Sequence, residues 1–389
     1  MSNRVIVLGG GIIGTSAAYY LSKLGVKVML IEAKDIAAGT SGSCDRAIML
    51  QSKKPGPTLD LAFKSAKMYE SLEEELDADL EYRKGGGMIV IENEKELAVM
   101  QSLVERQQKA GLDVRLISGE EARRRQPGLS SHILGSTWWE HDAEVNPLNV
   151  SFAMANAARR LGAEIKLQSK VTGLLIENDR VIGVDVSGEK IFSDAVVVTL
   201  GVWTPMLLKP IGIDLPIIPR RGQILISERV SPFIDCNILS AAYMASKLNG
   251  NSEKTKDDKD LGIGLAVGQT TSGQLLIGGS REFAGYDIST SAALTRAIGQ
   301  AAVRVFPELG NVHIIRSFAG LRPYTPDNMP ILGPVEGVKG IYIAAGHEGD
   351  GIALAPITGK VIADVACGLD PGIDISPFSM QRFFYASVG

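Results

Sequence analysis

Short apolar runs of strand type alternate along this chain with longer stretches in which apolar residues recur at helical spacing. Arg4-Val-Ile-Val-Leu8 is such a run, and Ala17, Ala18, Leu21 and Leu24 then share one helical face. Lys27-Val-Met-Leu-Ile31 is a second strand. Leu59, Leu61, Phe63, Met68, Leu72 and Leu76 mark a helix over 59–77, Met88-Ile-Val-Ile91 a strand, and about 94–110 a polar helix. Ser118-Gly-Glu-Glu121 reads as a capping box opening a short helix. Trp138-Trp139 closes another strand, and Asn146-Pro147 starts a helix running through Arg160.

The pattern then turns strand-rich. Glu164-Ile-Lys-Leu167 is one strand, and Val171–Glu177 and Arg180–Ser187 alternate about Asn178-Asp179 as a hairpin. Asp194-Ala-Val-Val-Val-Thr-Leu-Gly201 is a continuous apolar run of the kind buried in a parallel sheet, with a helix over 202–209 behind it. Strands are expected at about 215–228, 238–246, 263–269 and 274–279, the second carrying Tyr243. The polar run from Leu248 to Asp260 reads as a surface loop. A helix at about 290–305, strands near 312–318 and 340–345, and a final helix from Gly351 to Cys367 complete the chain. The strands at 164–167, 194–200 and 340–345 are the candidates to extend the N-terminal pair into a parallel sheet.

At 389 residues the chain exceeds what one core usually serves, so two domains are expected. With 45% hydrophobic and 22% charged residues it has the balance of a soluble globular protein. The net charge of −4, without a basic block, argues against nucleic acid as a partner. Cys44, Cys236 and Cys367 are far apart and form no C-x-x-C, so neither a metal nor an iron–sulfur site is expected. No apolar run approaches the ~20 residues of a membrane span. A cytoplasmic protein is expected, with any membrane association made through partners.

Gly9-Gly-Gly11-Ile12-Ile13-Gly14 lies between the first strand and its helix, and the second strand ends in Glu32-Ala33. That order is a dinucleotide fingerprint: glycines for the turn and close approach, a helix N-terminus for the pyrophosphate, an acid for the ribose hydroxyls. The small, polar Ala37-Ala-Gly-Thr40-Ser41-Gly-Ser43 loop suits FAD better than a nicotinamide cofactor. The fold expected is mixed α/β, with a discontinuous Rossmann-like cofactor domain (1–79, 144–213 and 313–389). A second, mainly antiparallel-sheet substrate domain takes 80–143 and 214–312.

Several further motifs follow in a fixed order: Glu144-Val-Asn-Pro147, Val196-Val-Val-Thr199-Leu-Gly201-Val-Trp203, Gly320-Leu-Arg322-Pro-x-Thr-Pro-Asp327 and Gly346-His347-Glu348-Gly349-Asp350-Gly351-Ile352. With the fingerprint, they make the whole chain resemble the FAD-dependent D-amino-acid oxidase, glycine oxidase and sarcosine oxidase superfamily. The segment Gln269–Asp287 looks most like the branch of amino- and imino-acid dehydrogenase flavin subunits, such as hydrogen cyanide synthase, D-hydroxyproline dehydrogenase and opine oxidase. The resemblance implies oxidation of a CH–NH bond of a small amino or imino acid by hydride transfer to flavin N5. It implies Arg322 as carboxylate anchor, a planar and permanently charged group suited to that task. It implies contact of the Gly346–Ile352 loop with the isoalloxazine, of Val171 with adenine, and of Thr199, Gly201 and Trp203 with the cofactor. His347 is a base or, by preference, a strut. Tyr243 reaches the substrate or packs in a core. No cysteine stands in Arg322-Pro-Tyr-Thr325, where some relatives attach flavin, so non-covalent FAD is expected. Asp45-Arg46 depart from the small residues usual in the flavin-facing loop. The electron acceptor is dioxygen, a partner subunit or a quinone. A non-catalytic FAD-binding subunit and an NAD-dependent dehydrogenase are the alternatives.

Overall fold

The computed structural model describes residues 4–248 and 262–384. Its centre is a six-stranded sheet in the order 331–334, 341–345, 195–198, 4–8, 27–31, 164–166. All neighbours pair in parallel except Ile331–Pro334, which lies antiparallel at one edge. The three strands expected to complete the sheet are therefore all in it. Arg4–Leu8 is central, and successive residues face opposite sides. Val5 and Val7 point into a core shared with helices Ile12–Lys23, Pro57–Leu76, Pro147–Arg160 and Gly351–Ala366. Ile6 and Leu8 point into a second core under the antiparallel sheet Val171–Glu177, Arg180–Val186, Glu189–Phe192.

A separate eight-stranded sheet is mostly antiparallel, in the order 314–324, 218–229, 274–278, 266–269, 237–240, 87–91, 135–139, 115–118. Helices Gly119–Arg125 and Ala292–Val305 cover one face, and Glu94–Lys109 packs on the other. A small sheet of Ala47–Ile48, Ala143–Glu144 and Arg83–Lys84 is the fourth sheet among the described residues.

Three expectations change. The strand expected over 238–246 stops at Ser240, and Ala241–Leu248 is helical, so Tyr243 sits on a helix. The Ser240 hydroxyl accepts from the Tyr243 N–H at 3.1 Å, an N-cap that turns the chain. The expected helix 202–209 is broken into a 3-10 turn Gly201–Trp203, a short helix Thr204–Leu208 and a 3-10 turn Lys209–Ile211, with a proline opening each of the last two. The strand expected near 312–318 runs on as Ile314–Tyr324, through Pro323. A proline is tolerated because this strand is the sheet edge and needs no partner on its outer side. Beyond Leu248, the polar run to Asp260 lies outside the described residues.

Candidate active site

Both helices that point at the site begin at the C-terminal edge of the parallel sheet, where open α/β sheets bind ligands. Ile12–Lys23 follows strand Arg4–Leu8, and Gly351–Ala366 follows Ile341–Ala345. Neither has an acidic residue in its first turn or a side-chain cap from its own N-cap residue, which for the second helix is Asp350. The two helices are pressed together: a Cβ at Gly359 would overlap Ser16, whose hydroxyl donates to the Ala355 carbonyl at 2.9 Å.

The Gly9–Gly14 turn is held from three sides. Gly9 takes a φ of +105°, and a Cβ at Gly14 would collide with the Gly9 carbonyl oxygen and lie 2.5 Å from Thr199 Oγ1. Thr199 Oγ1 donates to the Leu8 carbonyl at 2.6 Å. Glu32 closes the loop from the next strand, its carboxylate accepting from the N–H of Gly10 and of Lys34, both at 2.7 Å. Ser41 Oγ accepts from the Ile12 N–H at 2.9 Å, so the small-residue loop folds back onto the helix start. Thr40 Oγ1 donates to the Leu321 carbonyl at 2.6 Å, tying that loop to the edge strand of the eight-stranded sheet. Trp203 lies half-exposed over Gly39. Val171 is the first residue of the antiparallel sheet. Glycine turn, helix N-terminus, strand-end carboxylate and a second helix N-terminus are the donor set of a dinucleotide with two ends, and FAD fits them.

The other wall is made of side chains. Arg322 and Arg220 lie directly opposite one another on neighbouring strands. Arg322 Nη1 donates to the Ser280 carbonyl at 3.0 Å. Arg220 is buried, stacks over Phe283 and Tyr324, and reaches Glu348 Oε1 at 3.5 Å. Arg281 is buried beneath Tyr243, its Cζ 3.9 Å from the ring centroid, with Nε 3.9 Å from the same Glu348 oxygen. Burial holds Arg220 below the usual guanidinium range; Glu348 opposes this, while Arg281 and Arg322 add to it. Three cations thus share one neighbourhood.

The Gly346–Ile352 loop joins the two walls. Glu348 directs its carboxylate toward Arg220 and Arg281. Its N–H donates to the Pro323 carbonyl at 3.0 Å. Asp350 forms a buried pair with Lys53 at 3.0 Å. His347 is buried, with Nε2 3.2 Å from Thr358 Oγ1, and burial pushes its imidazole down to about 4. The ring is neutral and bonded to the final helix. Arg46 is also taken up: it is buried, with Glu81 at 2.8 Å and Glu144 at 3.9 Å. Asp142, buried between Gln51 and the Leu50 N–H, is pushed by burial up to about 7.

Sequence reasoning missed Arg220, Lys53 and Ser280. Arg220-Arg221 carried a signal: in an alternating strand the pair must split between faces, and Arg221 does turn to Glu282 and Asp287 on the other side.

A family model described as FAD dependent oxidoreductase, DAO, matches residues 4–365. The hydrogen cyanide synthase subunit HcnC of Pseudomonas protegens is 30% identical, with 99% of this chain and 97% of the relative covered. The solved structure of glycine oxidase from Bacillus cereus superposes with a TM-score of 0.83 at 26% identity, covering 94% of this chain and 95% of that one. That of L-proline dehydrogenase from P. horikoshii gives 0.88 at 25% identity, covering 100% and 99%.

Proposed function

The chain belongs to the DAO family of FAD-dependent oxidoreductases, and from that premise we propose that it oxidises the CH–NH bond of a small amino or imino acid. The observation that carries this reading is Arg322, a guanidinium fixed by the Ser280 carbonyl on the wall across from the glycine loop. When bound, FAD supplies the hydride acceptor at N5. The chain's own residues bind and orient. Arg322 holds the substrate carboxylate by two parallel hydrogen bonds, which aims the α-C–H. The substrate carbon loses a hydride, its nitrogen loses a proton to water, and an imine leaves. No protein base is required of His347, which is neutral and occupied by Thr358.

Gly9, Gly11, Ile12, Ile13 and Gly14 hold the pyrophosphate in this reading, and Glu32-Ala33 the ribose. Thr40, Ser41, Thr199, Gly201, Trp203 and the Gly346–Ile352 loop line the flavin, and Val171 the adenine. The domain division over 1–79, 144–213 and 313–389 against 80–143 and 214–312 belongs to the same proposal. FAD is held without a covalent bond: Cys44, the cysteine beside the flavin loop, gives its Sγ–H to the Ser41 carbonyl, and burial raises its thiol. A synthase subunit and a dehydrogenase among the similar proteins suit a partner subunit or quinone as electron acceptor, and the glycine oxidases suit dioxygen.

The test is a yellow preparation whose flavin is released by acid, followed by anaerobic bleaching with a panel of amino and imino acids. Bleaching by at least one of them supports the reading. Flavin that stays with the precipitated chain overturns the non-covalent part. A holoprotein bleached by dithionite but by no amino or imino acid overturns the substrate class.

A further inference from the structure

Gly222 stands in the middle of strand Ile218–Arg229, where glycine forfeits backbone order that alanine would supply. Its φ lies outside the left-handed region, so the conformation itself does not require glycine. What occupies the missing side chain's place is Arg322. A Cβ at Gly222 would lie 2.6 Å from both Cζ and Nη2 of that guanidinium, and nearer still to Nη1. Gly279 flanks the group on another side, its Cβ position 3.7 Å from Nη2, and Gly349 contributes a third approach at 3.7 Å from Nε.

The register explains why the trough is needed. Arg220 and Arg322 are direct partners across the two strands, and so are Gly222 and Gly320. Two like charges directly opposite on one sheet face repel. They part in different directions: Arg220 leans over Phe283 and Tyr324, while Arg322 lies down across Gly222 to reach the Ser280 carbonyl. An alanine at 222 closes that route and pushes the guanidinium back toward Arg220. The backbone need not yield, because the obstructing atoms are the far end of a flexible side chain.

We propose that Gly222 is a positioning residue for substrate binding: it acts by giving Arg322 the space in which its two donors meet the substrate carboxylate. This rests on Arg322 being the carboxylate anchor. The experiment uses FAD-loaded protein and propionate, a carboxylate that cannot be oxidised at a C–N bond, titrated by its effect on the flavin spectrum. Four variants are compared with wild type: Gly222→Ala, Arg322→Ala, their double, and Gly268→Ala. Gly268 lies in the same sheet, and its added Cβ meets only Asn237 Oδ1 at 3.7 Å. Gly222→Ala should keep its FAD and its melting temperature, yet raise the propionate Kd by about tenfold or more, as expected when an orienting group moves by roughly 1 Å. The double variant should bind no more weakly than Arg322→Ala alone, and Gly268→Ala should match wild type. Wild-type affinity in Gly222→Ala beside a loss in Arg322→Ala overturns the positioning role and leaves the anchor standing. Additive losses in the double variant overturn it too, as does a Gly222→Ala protein that sheds FAD or melts early, since Gly222 would then serve the sheet. Wild-type affinity in Arg322→Ala removes the anchor itself, and the proposal with it.

Discussion

Where the Gly9–Gly14 turn meets helix Ile12–Lys23, the groups on offer are backbone N–H donors and a helix dipole; across the site, on the eight-stranded sheet and just beyond its strand Gln274–Gly278, they are the side chains of Arg220, Arg322 and Arg281. The first wall is made by one local stretch of chain and needs only shape. The second is assembled from strands a hundred residues apart in sequence and needs charge, with Glu348 moderating it from the loop between. A backbone wall tolerates substitution of neighbouring side chains but no added volume. A side-chain wall tolerates volume where solvent is near but not loss of a buried partner.

Variants can break this contrast. The largest effect on the fold is expected from Gly14→Ala, whose new Cβ strikes the Gly9 carbonyl oxygen. It should cost at least the ~1–3 kcal/mol usual for overpacking, because backbone rather than side chain must move. FAD content and melting temperature should fall together. Arg322→Ala should leave both intact and weaken binding of a substrate carboxylate by about 2–5 kcal/mol, read as substrate concentration for half-maximal flavin reduction. An ester of the same amino acid should show little difference from wild type. Glu32→Ala comes next: its carboxylate serves the loop through Gly10 and Lys34. Losing it should weaken FAD by about 1.5–3 kcal/mol, or tenfold and more, by equilibrium dialysis.

The smallest effects are in pH dependence, and they have opposite signs. His347 titrates at about 4 in the folded chain, against an ordinary value of 6.5, so the unfolded chain binds more protons between these limits. Its contribution to stability therefore rises with pH from about 4 to 6.5 and is lost as pH falls through that range. Asp142, raised from 3.8 to about 7, does the reverse: the folded chain holds the proton, and its contribution falls over the same interval. The change in melting temperature from pH 4 to pH 7 should become more negative in His347→Gln and more positive in Asp142→Asn than in wild type. Equal shifts in both variants would mean that neither group titrates as its burial dictates.

The same contrast governs what was legible beforehand. The glycine wall is local and periodic: Val-Ile-Val-Leu, three spaced glycines, a helical stripe and Glu32 lie within one stretch, and the two strands and the helix formed where expected. The parallel strands at 195–198 and 341–345 were also readable, because burial on both faces demands continuous apolar runs. The arginine wall was not. Arg220 meets Arg322 only through a register set by distant strands, and Gly222 looks like any mid-strand glycine until a guanidinium is found lying over it. Tyr243 was placed on a strand because Ala241-Ala-Tyr-Met continues an apolar run; the hydroxyl of Ser240, one residue earlier, makes a helix of it instead. Arg46, unusual for its loop in sequence, is matched by Glu81 and Glu144 from distant segments.

The order in which the central sheet collects its strands also bears on how the protein is made. Val5 pairs with Ala195, and Val196 with Ile341. A ribosome therefore delivers the glycine turn and its neighbour Lys27–Ile31 long before the strand on the other flank, and the sheet stays open-edged until nearly the whole chain has emerged. Such non-local pairing is slow, and unpaired edges invite aggregation while it waits. Chains released before residue 345 should accumulate as insoluble material, and FAD should report completion of synthesis rather than guide its beginning.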